Sequence, residues 1–368
     1  MVKKKKICFL GYGEPSGELV GNGVVRVIKL QAKILRDRGY DVCFFHLFSI
    51  KEYKELNQFL IKNEIDLALW HMTSLKIKWW LHTPCPLVCL WHSTPNFTYE
   101  NYASIFCKKY KVNSFVRNIF QSGFVNFFLI KMHALYNASM FVYVTACSDR
   151  MVLLSNKFIP RFVAAKFFPN KVLSISNMIE SNGLKCFEKK KEVLFVGRLD
   201  NKTKKIDLLL HIWSKIESVA EDWILNICGD GKDRQMLEQM CKDLNLQHVY
   251  FRGFVMPEDF YKTASVFCVT SAFEGWGLVI EEAASYGCVP LAFNSFEAVT
   301  DLITDGENGI LIPPFDIDAY ANAIKRLMND EQERNRLAQN AQRDVVRFEP
   351  EIIMDQWENL FESVFNKR

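Results

Sequence analysis

The stretch SVFCVTSAFEGWGLVIEEA, residues 265–283, decides the fold. Ser265–Thr270 is a short apolar run that reads as a buried strand. Gly275 and Gly277 then interrupt the chain, and the pattern turns helical, which predicts a helix over Val279–Tyr286. A buried strand leading through a glycine loop into a helix is the repeating unit of a parallel sheet covered on both faces.

The same unit recurs outward from this point. Upstream, strands are predicted at Val193–Val196, Trp223–Cys228 and His248–Phe251, with helices at Leu208–Ile216, Asp233–Lys242 and Pro257–Lys262. Downstream come a strand at Val289–Ala292 and helices at Asp316–Met328 and Asp330–Val346. The first half repeats the scheme, with strands at Ile7–Leu10, Asp41–Leu47, Ile65–Trp70, Pro86–Trp91, Phe141–Thr145 and Val172–Ile175, and a helix at Val24–Arg38. Met178–Lys191 is polar and lysine-rich and reads as a linker. The expectation is an α/β protein of two doubly wound Rossmann-like domains facing across a cleft. Residues 1–180 form the first domain and 181–349 the second. Residues 350–368 return to pack on the first domain, with Trp357 as the anchor. A chain of 368 residues exceeds what one hydrophobic core usually organises, which agrees.

With 49% hydrophobic and 24% charged residues, the composition excludes disordered and fibrous classes. The net charge of +4 conceals a split: residues 1–186 carry +14 and the remainder −10. The basic half points to an anionic surface or substrate rather than to nucleic acid. The eleven cysteines form no CxxC pair and mostly sit in apolar runs, as reduced buried thiols of a cytoplasmic protein do. Cys85 and Cys89 lack a second pair that would complete a zinc site, so no metal is expected. Ile7–Leu10 after Lys3–Lys6 is too short for a signal peptide, and the interrupted run Ile119–Ile130 is too short to span a bilayer.

The chemistry concentrates in residues 271–283. Glu274 stands on the loop and Glu282 on the helix, seven residues between them. Gly275 and Gly277 let backbone approach a ligand, and the amides around Gly277, Leu278 and Val279 open a helix whose dipole favours an anion. Carboxylates accept hydrogen bonds from sugar hydroxyls, so this arrangement suits a ligand bearing both hydroxyls and phosphates. The same spacing also fits a capped helix with surface acids. A rival motif, Gly11-Tyr12-Gly13-Glu14-Pro15-Ser16, approximates a dinucleotide fingerprint. Ser16 replaces its third glycine, and Phe44-Phe45-His46 ends strand two without an acid, so a nicotinamide site is not expected.

Residues 271–283 resemble the donor-site motif of GT-B-fold retaining glycosyltransferases, glycosyltransferase family four, written E-x7-E. Other segments resemble that family in the same order: Gly21-Asn22-Gly23-Val24-Val25-Arg26, His92 after a strand, Asn177 before the linker, Gly197-Arg198 with Lys204, Gly229-Asp230-Gly231, Phe251-Arg252-Gly253 and Asp305–Gly309. The resemblance implies roles. Arg198 and Lys204 neutralise the departing nucleotide diphosphate. Glu282 holds the ribose, Glu274 with Gly275, Trp276, Gly277, Leu278 and Val279 holds the donor sugar, and backbone at Phe254 meets the base. Gly21 and Gly23 touch the diphosphate, and His92 lies near the sugar and the attacking hydroxyl. Lys204-Lys205 stands where the family often has Lys-Gly, so either lysine could reach the phosphate, with Lys204 preferred.

The resemblance implies transfer of a hexose or N-acetylhexosamine from a nucleotide diphosphate sugar, with a UDP-sugar favoured and GDP-mannose second. Cell-surface polysaccharide or lipopolysaccharide synthesis is the expected setting, with a glycan or lipid-linked acceptor and without cofactor or metal. The alternatives are a GT-B nucleotide-sugar epimerase and a non-catalytic sugar-binding subunit. In Cys107–Tyr136, Lys108, Lys109, Lys111, Arg117 and Lys131 accompany Phe115, Phe120, Phe124, Phe127 and Phe128. That mixture suits a helix in an anionic lipid interface, on a cytoplasmic protein peripheral to the membrane, and equally a core helix with solvated charges.

Overall fold

The computed structural model describes residues 4–11, 23–47, 50–73, 82–95, 123–220 and 222–366. The chain divides into two compact units. One comprises Met1–Pro15, Ala32–Ile175 and Glu358–Arg368, the other Ser16–Gln31 and Ser176–Trp357.

The first half of the chain contains β1 (Lys6–Leu10), α1 (Gly23–Asp37), β2 (Asp41–Phe45), α2 (Ile50–Lys62), β3 (Leu67–Met72), β4 (Leu87–Trp91), α3 (Gly123–Cys147), β5 (Arg150–Leu153), α4 (Val163–Phe167) and β6 (Val172–Ser174). Its six strands are all parallel, in the order β2-β1-β3-β4-β5-β6. Every residue of β3 and β4 is buried. Those strands therefore read as unbroken apolar runs instead of alternating ones.

The second half contains β7 (Lys190–Val196), α5 (Asn201–Lys204), α6 (Ile206–Ser214), β8 (Ile224–Cys228), α7 (Arg234–Asp243), β9 (Val249–Gly253), α8 (Glu258–Thr263), β10 (Ala264–Val269), α9 (Leu278–Ser285), β11 (Val289–Phe293), α10 (Val299–Leu302), β12 (Ile310–Ile312), α11 (Ile317–Asn329), α12 (Glu331–Val345) and α13 (Pro350–Phe365). Its parallel sheet runs β12-β11-β10-β7-β8-β9. Counted from β7, that is the 3-2-1-4-5-6 order of dinucleotide-binding sheets, read from the far edge, and its direction reverses between β7 and β10. Trp213 and Tyr320 fill the core on the helix side. The Tyr320 hydroxyl is satisfied by donating to Leu291 O (2.7 Å) and accepting from Val269 N (3.1 Å). The α/β fold with two Rossmann-like sheets is therefore as the sequence predicts.

One element is corrected. Phe141–Thr145 is not a strand but the last part of α3. There Phe141 packs edge-to-face on Trp91 (4.9 Å) and on Phe162 (5.0 Å). A short buried apolar run carries no period that separates strand from helix. The sequence reading also stops short at Ile130. Phe127–Cys147 is 21 residues long and, by length and composition alone, apolar enough to cross a membrane, with 17% of its most apolar window buried. Upstream of the buried Met140 the helix exposes Phe127, Phe128, Lys131, Met132, Leu135 and Tyr136, a stripe at helical spacing. In the last helix Trp357 is buried, and Glu358 pairs with Arg38 at 2.5 Å within the first unit.

Candidate active site

In open parallel sheets, ligands bind beyond the carboxyl ends of the strands where the order reverses. In the second sheet those ends are Gly197-Arg198 after β7 and Thr270–Gly277 after β10. The loops are tied together by backbone. Ala272 N donates to Thr203 O (2.9 Å), and the Thr270 hydroxyl donates to Lys204 O (2.9 Å). This brings Lys204 and Glu274, seventy positions apart, into a direct ion pair. Ser271 Oγ donates to the same Glu274 oxygen (2.7 Å), and Ser295 Oγ in turn donates to Ser271 O (2.5 Å). Lys205 adopts a left-handed conformation (φ 51°) between α5 and α6.

One strand end beside Arg198, at Gly229, is packed too closely for a side chain. A Cβ on Gly229, whose φ is +145°, would lie 1.8 Å from Gly197 O. Gly229 N donates to Gly253 O (2.7 Å) and Gly197 N to Cys228 O (3.0 Å), which locks the ends of β7, β8 and β9 into one floor. On that floor Arg198 is exposed, its carbonyl accepts from Asp200 N (2.8 Å), and its guanidinium has no hydrogen bond or ion pair among the described residues. Phe254, next to Gly253, is 59% exposed.

Gly277 caps α9 with φ +117°, a conformation few other residues adopt without strain. Leu278 and Val279 begin the helix. Leu278 packs against α1 closely enough that a Cβ on Gly23 would sit 3.1 Å from its Cδ1. Trp276 turns inward. It is buried against Phe348 and donates from Nε1 to Glu281 (2.9 Å), which leaves its backbone, with that of Gly275, as what a ligand can meet. Glu282 accepts from the Tyr261 hydroxyl (3.0 Å) and pairs with Arg26 at 2.7 Å. Burial raises the Glu282 carboxyl above its usual range, with Arg26 and Tyr261 opposing. Tyr261 is not visible as a site residue in the sequence, and Arg26 is quoted there only as the end of the Gly21–Arg26 segment, since nothing in their local pattern ties them to Glu282.

In the first unit, His92 follows β4 and is buried. Its ring nitrogen Nε2 lies 2.8 Å from Nδ1 of His71, a residue the sequence reading passes over inside an apolar strand. Gly21, with the loop through Ser16, lies outside the described residues.

A Campylobacter jejuni protein, "GalNAc-alpha-(1->4)-GalNAc-alpha-(1->3)-diNAcBac-PP-undecaprenol alpha-1,4-N-acetyl-D-galactosaminyltransferase", is 31% identical over 180 residues, 49% of this chain and 50% of that protein. The match thus spans about half the length of this curated relative. Among solved structures, sucrose-phosphate synthase from Thermosynechococcus elongatus superposes with a TM-score of 0.72 at 18% identity, covering 99% of this chain and 100% of the other. Anabaena HepE in complex with UDP superposes with a TM-score of 0.71 at 17% identity, covering 98% and 100%. These likenesses show the two-domain Rossmann-like fold. Residues 178–344, the stretch that carries Arg198, Lys204, Glu274 and Glu282, match the family model "Glycosyl transferases group 1".

Proposed function

We propose that the protein is a retaining glycosyltransferase that moves a hexose or N-acetylhexosamine from a UDP-sugar to a glycan or lipid-linked acceptor in cell-surface polysaccharide synthesis. The observation that carries this reading is the Lys204–Glu274 pair beside the unengaged Arg198 at the reversal point of the second sheet. As the glycosidic bond breaks, charge grows on the diphosphate oxygens. Arg198 and Lys204 stabilise that charge, and Glu274 accepts hydrogen bonds from the sugar hydroxyls. Glu282 holds the ribose. Retention follows from attack on the face the leaving phosphate departs from, with a phosphate oxygen taking the acceptor proton and the two cations holding that oxygen in place. His92 assists at the sugar. The charge on the diphosphate is met by side chains, so the reaction runs without a metal.

Turnover with a panel of nucleotide sugars tests this. Transfer from one donor, reduced about 100-fold or more in both Arg198→Ala and Glu274→Ala, supports the reading. Unchanged activity in both variants overturns the site.

The reaction is placed at a cytoplasmic membrane surface. The support is the exposed apolar stripe on α3, in a stretch where Asp149 is the sole acid between residues 101 and 175. The polyprenyl-diphosphate acceptor in the Campylobacter relative's name agrees with such a setting. Sedimentation with anionic vesicles, weakened by salt and by Phe127→Glu, is expected. Equal absence of binding to anionic and neutral vesicles refutes it.

A further inference from the structure

Phe9, His71 and His92 form a row across one face of the first sheet. β1 pairs with β3 in the register Phe9↔Leu69, and β3 with β4 in the register His71↔Leu90. Residues two apart on a strand share a face, so Phe9, His71 and His92 project together. The Phe9 and His71 rings lie 5.3 Å apart and 16° from parallel. The His71 and His92 rings lie 5.0 Å apart and 19° from parallel, while their facing nitrogens are only 2.8 Å apart. The nitrogens are far closer than the centroids, so the two imidazoles meet edge to edge, as a hydrogen bond requires. The row stands at the carboxyl ends of β3 and β4, beside the reversal of strand order between β1 and β3.

Burial keeps both rings neutral. It pushes His92 down to about 3 and holds His71 well below the usual histidine range. Between two neutral imidazoles one facing nitrogen donates and the other accepts. The far side of His71 decides which. Its Nε2 is buried and has no hydrogen-bond partner among the described residues. A proton there would be an orphaned buried donor, whereas a proton on Nδ1 leaves only an orphaned acceptor, the milder case. His71 therefore donates from Nδ1, His92 accepts at Nε2, and His92 carries its own proton on Nδ1.

We propose that His71 is a positioning residue that locks His92 in the Nδ1–H tautomer, so that His92 offers the sugar a hydrogen-bond donor and not an acceptor. This rests on the reading of His92 as a sugar-facing residue. A hydroxyl that meets a fixed donor must accept there, and its own proton is turned elsewhere.

Histidine 15N NMR of the full chain tests the tautomer directly, with resonances assigned from the variants. The expected result is His92 protonated at Nδ1 in the native chain and a tautomer mixture in His71→Phe. In the same variant kcat falls by up to about 100-fold at nearly constant KM, as expected when a group that acts in the transition state is mispositioned. His71→Asn, whose amide can donate from near the Nδ1 position, restores the tautomer and most of the rate. His92 protonated at Nε2 in the native chain, or an unchanged His92 tautomer in His71→Phe, overturns the proposal. Full turnover in His92→Phe instead overturns the reading of His92 as sugar-facing, a result the tautomer measurement cannot produce.

Discussion

Glu281→Gln is predicted to stabilise the protein increasingly as pH rises. Glu281 is 2% exposed and stands next to Glu282 at the start of α9. One carboxyl oxygen accepts from Trp276 Nε1 at 2.9 Å, and the other, Oε2, has no partner among the described residues. Burial pushes this carboxyl well above the ordinary value of 4.5, with the Trp276 hydrogen bond opposing and the Glu282 charge adding to the rise. The folded chain therefore keeps a proton that the unfolded chain releases near its ordinary value. Folding takes up that proton, so stability is whole below pH 4.5 and falls as pH rises toward the folded-state value. The loss is about 1.4 kcal/mol per pH unit across that window. Glutamine keeps an acceptor for Trp276 and never ionises. The variant should match the native chain below pH 4.5 and exceed it by a margin that widens as pH rises above that value. Urea unfolding of both chains between pH 4.5 and 8, read by tryptophan fluorescence, measures the difference. Parallel pH profiles, or a glutamine variant equally destabilised at every pH, would refute the reasoning.

Three further outcomes are expected. Gly229→Ala places a methyl 1.8 Å from Gly197 O at φ +145°, and should cost more than about 3 kcal/mol in thermal or denaturant unfolding, because backbone on both sides must move. Tyr261→Phe removes the hydroxyl that donates to Glu282 at 3.0 Å and should weaken UDP binding, read by calorimetry, by about 0.5–1.5 kcal/mol while leaving the chain folded. Turnover should be unchanged by excess EDTA, since Arg198 and Lys204 are proposed to carry the phosphate charge; a loss that Mg2+ restores would contradict that proposal.

Much of the fold is legible in the sequence because the central strands of a doubly covered sheet are mostly apolar, and each helix must show one apolar face. The Gly275–Gly277 interruption and the strand ends at Gly197, Gly229 and Gly253 mark where backbone turns tightly, and those positions are fixed by local conformation. Phe141–Thr145 is misread because its apolar side chains suit a buried helix as well as a buried strand, and only packing against Trp91 and Phe162 separates the two.

The sequence by itself determined the alternation of strands and helices, the two-domain organisation, and which residue types gather in the 271–283 loop. Tertiary structure alone decided the pairings: Lys204 with Glu274, Glu282 with Arg26 and Tyr261, His71 with His92, and Trp276 turned into the core. Local pattern follows from forces within a few residues. Pairings follow from strand order and register, which place residues 21 to 256 positions apart within hydrogen-bonding distance only after the sheets have assembled.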